Sequence, residues 1–192
     1  MENQLRSALR EYGDLLTDDA IARMAAHWRL VEQWGSRLNL TSIRDDETAA
    51  WRHYRDSVEP LRVLSRGPWV DMGSGAGYPG IPLAALRPDI SITLVEPRRK
   101  RVSFLKTVVA ELALDNVTVH EGRSTDTPLS DFGAVLTRAT FSQAEDLEHL
   151  LQWCRSGGVV VALRKEASGT SGSRIYSYDL PHERRVMEVW TR

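Results

Sequence analysis

The segment Trp69-Val70-Asp71-Met72 runs straight into Gly73-Ser74-Gly75-Ala76-Gly77 and then into Tyr78-Pro79-Gly80-Ile81-Pro82-Leu83. A short apolar strand opening into a glycine-rich turn constrains this chain more than any other local feature. Glycine accepts the positive φ of such a turn and lets a ligand approach the backbone with no Cβ in the way. Pro79 follows at a place favoured in the first turn of a helix, where its missing N–H costs nothing. Strand, turn and helix make the first step of a βαβ unit, which predicts a parallel sheet with helices packed on it.

The rest of the chain keeps that rhythm. Ile90–Glu96 reads as a strand after the turn Arg87-Pro88-Asp89. Arg101–Leu112 puts Val102, Leu105, Val108, Val109 and Leu112 on one helical face. Val117–Glu121, Ala134–Thr137 and Gly158–Leu163 read as strands, with a helix over Gln143–Leu151 before the last. Ala167–Ser173 reads as a loop, and Ile175–Asp179 with Val186–Trp190, bracketing Pro181, as a closing hairpin. Residues 1–66 carry no strand signal. There Ile21, Met24, Ala25, Trp28, Val31 and Leu38 form a helical stripe, started by Thr17-Asp18-Asp19. After the turn-like Asn39-Leu40-Thr41-Ser42, Asp45-Asp46-Glu47 starts a second helix carrying Ala50, Tyr54, Val58 and Leu61. The expectation is an α/β protein: a doubly wound, mostly parallel seven-stranded sheet over 67–192, with a helical extension over 1–66 packed on it.

Charge and cysteine bound the partners. The chain has 192 residues, 25 basic and 26 acidic, a net charge of −1, so any nucleic-acid contact must come from a local basic patch. All but Lys100, Lys106 and Lys165 of the basic residues are arginine, the side chain better suited to forking a phosphate. The single Cys154 excludes an internal disulfide and a multi-cysteine zinc site, and no metal motif is present. Apolar runs such as Val159–Leu163 are too short to span a bilayer, and Met1–Asp14 is too polar for a secretory signal. A cytoplasmic protein without a membrane partner is expected.

Two cofactors compete for the glycine turn. Gly75-Ala76-Gly77-Tyr78-Pro79-Gly80 formally matches the dinucleotide fingerprint G-x-G-x-x-G. Asp71, however, precedes Gly73 by two residues at the strand's carboxyl end, where it would repel a pyrophosphate and attract the ammonium of S-adenosylmethionine. The acid-then-glycine order favours the latter, with Asp71, Gly73, Gly75 and Gly77 shaping the methionyl pocket. Glu96 closes the next strand, where an acid takes ribose hydroxyls in nucleotide-binding α/β folds; both candidates have a ribose.

Two basic clusters are candidates for RNA phosphates: Arg98-Arg99-Lys100-Arg101, set against the dipole of a helix start, and Arg52-His53 with Arg55. The position after the fourth strand reads Leu136-Thr137-Arg138-Ala139 and lacks the Asn/Asp-Pro-Pro-aromatic loop of exocyclic-amine methylation. Cys154 follows an apolar helix and reads as core, not as a nucleophile. A site without an evident general base suits an acceptor with a free lone pair, such as guanine N7, with alignment supplying most of the catalysis.

The sequence resembles the bacterial small-subunit rRNA guanine-N7 methyltransferases, the glucose-inhibited division protein B group. The resemblance spans most of the chain and rests on Asn39-Leu40-Thr41, Arg52-His53…Asp56-Ser57, Asp71–Leu83, Lys100-Arg101-Val102…Phe104-Leu105 and Thr137-Arg138-Ala139. It implies a class I S-adenosylmethionine-dependent methyltransferase fold of Rossmann type and methylation of a guanine in the 530 loop of 16S rRNA. It further implies that Gly73 and Tyr78 contact the cofactor, that Ser124-Thr125 flank its adenine, and that Arg138 lines the active site. Lys100 and Arg123 match basic positions near the expected RNA cleft, beside Arg138 in catalysis, and Arg164-Lys165 matches an Ala-Leu-Lys-like segment, with Lys165 expected to contact RNA. The expected partner is 16S rRNA or the small subunit, not DNA, and the expected state a monomer. Two departures stand out. Ser124-Thr125 replaces a small or aliphatic residue followed by Glu, and the stretch from Lys165 to Tyr178 is shorter than usual. A non-catalytic or divergent cofactor- and RNA-binding paralogue, a small-molecule methyltransferase and a nicotinamide-dependent oxidoreductase are the alternatives.

Overall fold

In the computed structural model, which describes residues 1–64, 66–123, 130–138 and 144–192 (without the side chains of 36 and 144–148), the chain opens with helices. α1 (Glu2–Ala8) and a 3-10 turn (Arg10–Leu15) lead to α2 (Asp18–Leu38). Thr17 caps α2, its Oγ1 accepting from the Ala20 amide at 3.1 Å, while Asp18 and Asp19 meet the positive end of the dipole. Asn39, left-handed at φ 50°, ends the helix. Asp45 repeats the device by accepting from the Thr48 amide at 2.8 Å.

Where the sequence pattern predicts one regular helix, the structure has four pieces. These are α3 (Asp46–Ala49), a π-helical turn (Ala50–Arg55), α4 (Asp56–Val58) and a 3-10 turn (Glu59–Arg62). Tyr54 and Arg55 are buried in this segment, whereas Arg52 is exposed. Such π turns often accompany functional sites.

The α/β part runs β1 (Trp69–Met72), α5 (Gly80–Leu86), β2 (Ile92–Glu96), α6 (Arg99–Glu111), β3 (Val117–Glu121), β4 (Phe132–Arg138), α7 (Ala144–Trp153), β5 (Cys154–Arg164), β6 (Arg174–Leu180) and β7 (Glu183–Thr191). These strands form a seven-stranded sheet in the order β3-β2-β1-β4-β5-β7-β6. The first five are parallel, and β7 enters antiparallel between β5 and β6. β5 is longer than the apolar run suggested. It starts at Cys154, and its register jumps because Phe132 pairs with Cys154 but Ala134 with Val159, with Gly157 at φ 73° among the extra residues.

Strand alternation sorts the core into two layers. Trp69, Ile92, Leu94, Ala134, Leu136, Val161 and Leu163 face a large cluster that also takes in Leu5, Ile21, Met24, Trp28, Tyr54 and Phe104. Val70, Met72, Val95, Val135, Val160 and Ala162 face a smaller one with Leu150, Trp153 and Trp190. The N-terminal helices therefore share one core with the sheet. Each large side chain removed from water in it is worth about 1.5–3 kcal/mol.

The connection from the helices to β1 lies on β4. The Gly133 amide donates to the Pro68 carbonyl at 2.8 Å, and a Cβ on Gly133 would stand 2.2 Å from the Arg66 carbonyl oxygen. Backbone cannot yield there as a flexible side chain would. Gly133→Ala is expected to destabilise the protein by about 1–3 kcal/mol, read as a lowered urea midpoint at unchanged slope.

Candidate active site

A parallel sheet gathers the carboxyl ends of its strands on one edge, and a ligand crevice opens where the strand order reverses. Here the order reverses between β1 and β4, paired with Asp71 opposite Leu136 and Met72 opposite Thr137. Asp71 and the glycine turn leave β1 at that edge, Glu96 ends β2, Arg123 follows β3, Arg138 ends β4 and Lys165 follows β5.

Asp71 is fully buried. Its Oδ2 accepts from the Gly80 amide at 3.0 Å, capping the first turn of α5, while Oδ1 has no partner among the described residues. Burial pushes its carboxyl up to about 7, against the Gly80 amide, which favours the charged form; the Ser74 hydroxyl donates to the Asp71 main-chain carbonyl at 2.9 Å. Glu96 is also buried, yet both oxygens are engaged: Oε2 accepts from the Gly75 amide and Oε1 from the Arg98 amide, each at 2.9 Å. A carboxylate has about four acceptor sites, so two hydroxyls can still be taken. Gly73, Gly75 and Gly77 all have positive φ. The Cβ direction of Gly75 has room: a Cβ there would be in ordinary contact with Arg101 Nη1 and the Gly73 carbonyl oxygen, both at 3.7 Å. Gly77 differs from the pocket-shaping role expected of it. Its Cβ would meet Ile81 Cγ1 at 2.6 Å and His27 Nε2 at 3.2 Å, so its smallness serves the packing of the turn on the helices.

Tyr78 likewise points away from the crevice and into the helical extension. Its ring stacks on His53 at 4.5 Å between centroids, and the Arg138 guanidinium carbon lies 4.8 Å from its centroid. Its hydroxyl donates to the Tyr54 hydroxyl at 3.2 Å, and Tyr54 meets His27 Nδ1 at 3.0 Å. His27 Nε2 is 2.8 Å from the Ala76 carbonyl oxygen, which can only accept, so Nε2 carries the proton and Nδ1 accepts from Tyr54. Burial lowers His27 to about 4 and keeps it neutral; burial and the neighbouring Arg138 lower His53 to about 2. The chain Tyr78–Tyr54–His27–Ala76 ties the glycine turn to α2. His27 had no signal of this role in the sequence beyond being polar inside an apolar stripe.

Asp56 is a second buried carboxylate, fully enclosed. The Tyr178 hydroxyl donates to its Oδ1 at 2.6 Å, Arg185 Nε lies 3.2 Å from Oδ1, and Arg138 Nη1 lies 3.6 Å from Oδ2. Arg138 Nη1 also donates to the Arg52 carbonyl at 3.4 Å. Asp56 thus joins the hairpin to α4 and holds the guanidinium beside Tyr78. Arg185 and Tyr178, in the hairpin, are distant in sequence and carry no local motif.

The basic residues separate. Arg98, Arg99, Lys100, Arg123 and Lys165 are exposed at the carboxyl edge. Arg101 is half-buried beside Gly75, 3.5 Å from the Asn39 carbonyl. Arg55, expected to touch RNA, is instead buried: it pairs with Glu59 and Glu11 and donates to the Tyr12 hydroxyl. An arginine in a buried ion-pair network cannot reach a phosphate without leaving Glu59 uncompensated. Arg52 is exposed but forks Glu183, at 2.9 and 3.2 Å. Ser124 and Thr125 lie outside the described residues.

A mostly parallel sheet reversing at a glycine turn, with an acid at the carboxyl end of each of β1 and β2, defines the class I S-adenosylmethionine-dependent methyltransferase fold. Solved structures agree on that fold. A SAM-dependent methyltransferase from Aquifex aeolicus aligns with TM-score 0.60 at 16% identity, over 85% of this chain and 97% of that one. An RNA methyltransferase from Salinibacter ruber, in complex with S-adenosyl-L-homocysteine, aligns with TM-score 0.58 at 17% identity, over 78% and 93%. The sequence profile of rRNA small subunit methyltransferase G matches residues 20–172. Ribosomal RNA small subunit methyltransferase G of Escherichia fergusonii is 37% identical over 155 residues, 80% of this chain and 73% of that protein. That of Klebsiella pneumoniae strain 342 is 39% identical over the same shares. The chain belongs to the rRNA small subunit methyltransferase G family.

Asp56 is the shared counter-ion of two arginines, Arg138 and Arg185, and the trio keeps one net positive charge. Asp56→Asn is expected to cost about 3–5 kcal/mol, because buried positive charge loses its counter-ion. Tyr178→Phe, which removes only a hydrogen bond, should cost about 1–2 kcal/mol. Urea unfolding of both variants checks the order, and equal losses would contradict it.

Proposed function

We propose that the protein transfers a methyl group from S-adenosylmethionine to N7 of a guanine in the 530 loop of 16S ribosomal RNA. Family membership supports the RNA substrate. The observation that carries the cofactor reading is the buried Oδ1 of Asp71, without a partner among the described residues, beside a glycine turn with room at Gly75. A cationic amino group fits that oxygen. A pyrophosphate does not, because the α5 amide it would seek at Gly80 is already held by Asp71 Oδ2. Glu96 keeps acceptor capacity for the ribose, and Gly73 for close approach at the methionyl end.

When bound, the cofactor supplies a methyl group on a sulfonium, ready for direct displacement. The protein's residues orient the acceptor. Guanine N7 has a lone pair and loses no proton, so no general base is required, and His27 is neutral with both nitrogens engaged. Arg138, held by Asp56 and by the Tyr78 ring, lines the reacting centre and offers positive charge to the RNA. Arg98, Arg99, Lys100, Arg123 and Lys165 form the rim that meets phosphates, and Ser124-Thr125 flank the adenine as the family resemblance implies. Residues 1–66 act as an extension on the 67–192 domain and complete the site rather than standing apart. No helix among the described residues is long and apolar enough to cross a membrane. We read the protein as a cytoplasmic monomer acting on the rRNA or the small subunit.

Incubation with labelled S-adenosylmethionine and small subunits from a strain lacking this gene should label one guanine of the 530 loop, mapped by cleavage at 7-methylguanine. Label at another nucleotide, or none, contradicts the reading. The pH dependence of cofactor binding tests Asp71 separately. Its carboxyl, near 7 in the free protein, must ionise to pair with an amine that stays protonated below about pH 8. Affinity should therefore fall as pH falls, by about tenfold from pH 7.5 to 6. Stability runs the other way: the raised carboxyl contributes most below about pH 4 and loses its contribution as pH rises through 7. Calorimetric titration of the wild type and Asp71→Asn should show the affinity slope only in the former.

A further inference from the structure

The helical segment 46–58 has two working sides. His53 and Asp56 face Tyr78 and Arg138, whereas Glu47, Thr48, Trp51 and Arg52 line a half-open cavity of about 420 Å³ shared with Pro181, His182 and Glu183 of the hairpin turn. Among the described residues, no side chain assigned to the methyl-transfer site lines this cavity, yet Arg52 belongs to both sides, since its backbone carbonyl holds Arg138.

The lining has a specific chemistry. Half-buried Trp51 supplies a flat apolar wall. Arg52 spends Nε and Nη2 on Glu183, which fixes its plane and leaves Nη1 without a partner among the described residues. Glu47 is exposed and its carboxylate has no partner among them either. Two carboxylates make the cavity unfavourable for a phosphate. A planar, uncharged ligand that stacks, gives two adjacent N–H donors to a carboxylate and takes one N–H from a guanidinium fits the set. The Watson–Crick edge of guanine carries that order, N1–H and N2–H beside O6. Adenine offers one donor beside an acceptor and would leave Glu47 facing a lone pair. Base stacking on an aromatic side chain is how proteins commonly seize unpaired RNA bases.

We propose that this cavity binds an unpaired guanine of the RNA that flanks the methylated one, stacked on Trp51 with its Watson–Crick edge on Glu47 and Arg52. It rests on the rRNA methyltransferase reading, and it gives the helical extension a share in choosing the substrate sequence. A free guanine nucleotide shares this chemistry, so the test separates the two sources.

GMP and AMP carry the same phosphate and are titrated into the wild type, Trp51→Ala and Glu47→Gln, followed by NMR line shifts. The wild type should bind GMP at least fivefold more tightly than AMP. Glu47→Gln should lose most of that preference, and Trp51→Ala should lose binding of both. S-adenosylmethionine affinity within twofold of wild type shows that the variants are folded. On small subunits, Glu47→Gln should raise KM at least fivefold with kcat within twofold. Equal binding of GMP and AMP, or a preference kept in Glu47→Gln, overturns the base site. A lost GMP preference with unchanged subunit KM assigns the cavity to a free nucleotide and overturns the RNA assignment. A wild type that binds GMP as described but methylates no subunit leaves the base site standing and refutes the rRNA methyltransferase reading instead.

Discussion

A buried carboxylate with one oxygen left without a partner among the described residues sits where the sheet order reverses, and the site is arranged around it. Leaving a buried polar atom unpaired costs about 1–3 kcal/mol, more if it is charged. Asp71 carries that cost at Oδ1 while its other oxygen caps α5. Gly80 can approach closely only because it lacks a side chain: a Cβ there would lie 2.8 Å from Asp71 Oδ2 and 2.2 Å from Leu94. The helix start, the strand end and the glycine turn are therefore one unit, built to keep a single acceptor dry and available. A group like this is the usual mark of a place that a ligand completes.

The same economy explains why the helical extension is inseparable from the α/β part. The glycine turn gains rigidity from outside the sheet, through Ala76 to His27, and through Tyr78 to Tyr54. Every donor in that chain has one acceptor, so the proton order is fixed and the turn has little freedom to open. Arg138 is positioned in the same way. It ends β4, but Asp56, from the helical extension, and the Tyr78 ring decide where its charge lies. A networked side chain of this kind presents its guanidinium without paying again for orientation when a substrate arrives.

The sequence made the sheet and the turn legible because both depend on local pattern: alternation, helical periodicity, and glycines where φ must be positive. Asp71 and Glu96 were readable for the same reason, since a strand's end places its last polar side chain at the sheet edge. What stayed hidden depends on pairing across long separations. Arg55 looks like an exposed base until Glu59 and Glu11 enclose it, and the π turn that buries it has no sequence signature. Tyr78 lies in the motif yet turns inward, because the aromatic residues that receive it, His27, His53 and Tyr54, come from helices far from it in sequence. His27, Tyr178 and Arg185 gain their roles only when α2 and the hairpin reach the crevice.

Charge follows the same division between paired and unpaired groups, which reconciles a net charge of −1 with an RNA substrate. Many arginines are neutralised by nearby acids, as Arg55, Arg62, Arg87, Arg164 and Arg185 are. Arg98, Arg99 and Lys100 are in no such pair among the described residues and crowd the start of α6, where the dipole disfavours them. Glu96 relieves part of that cost by accepting from the Arg98 amide, so the acid proposed to take the ribose also steadies the start of the helix carrying these basic residues. The proposed cofactor site and the proposed RNA rim are thus joined through one carboxylate, and exposed positive charge gathers at the carboxyl edge of the sheet, beside the glycine turn.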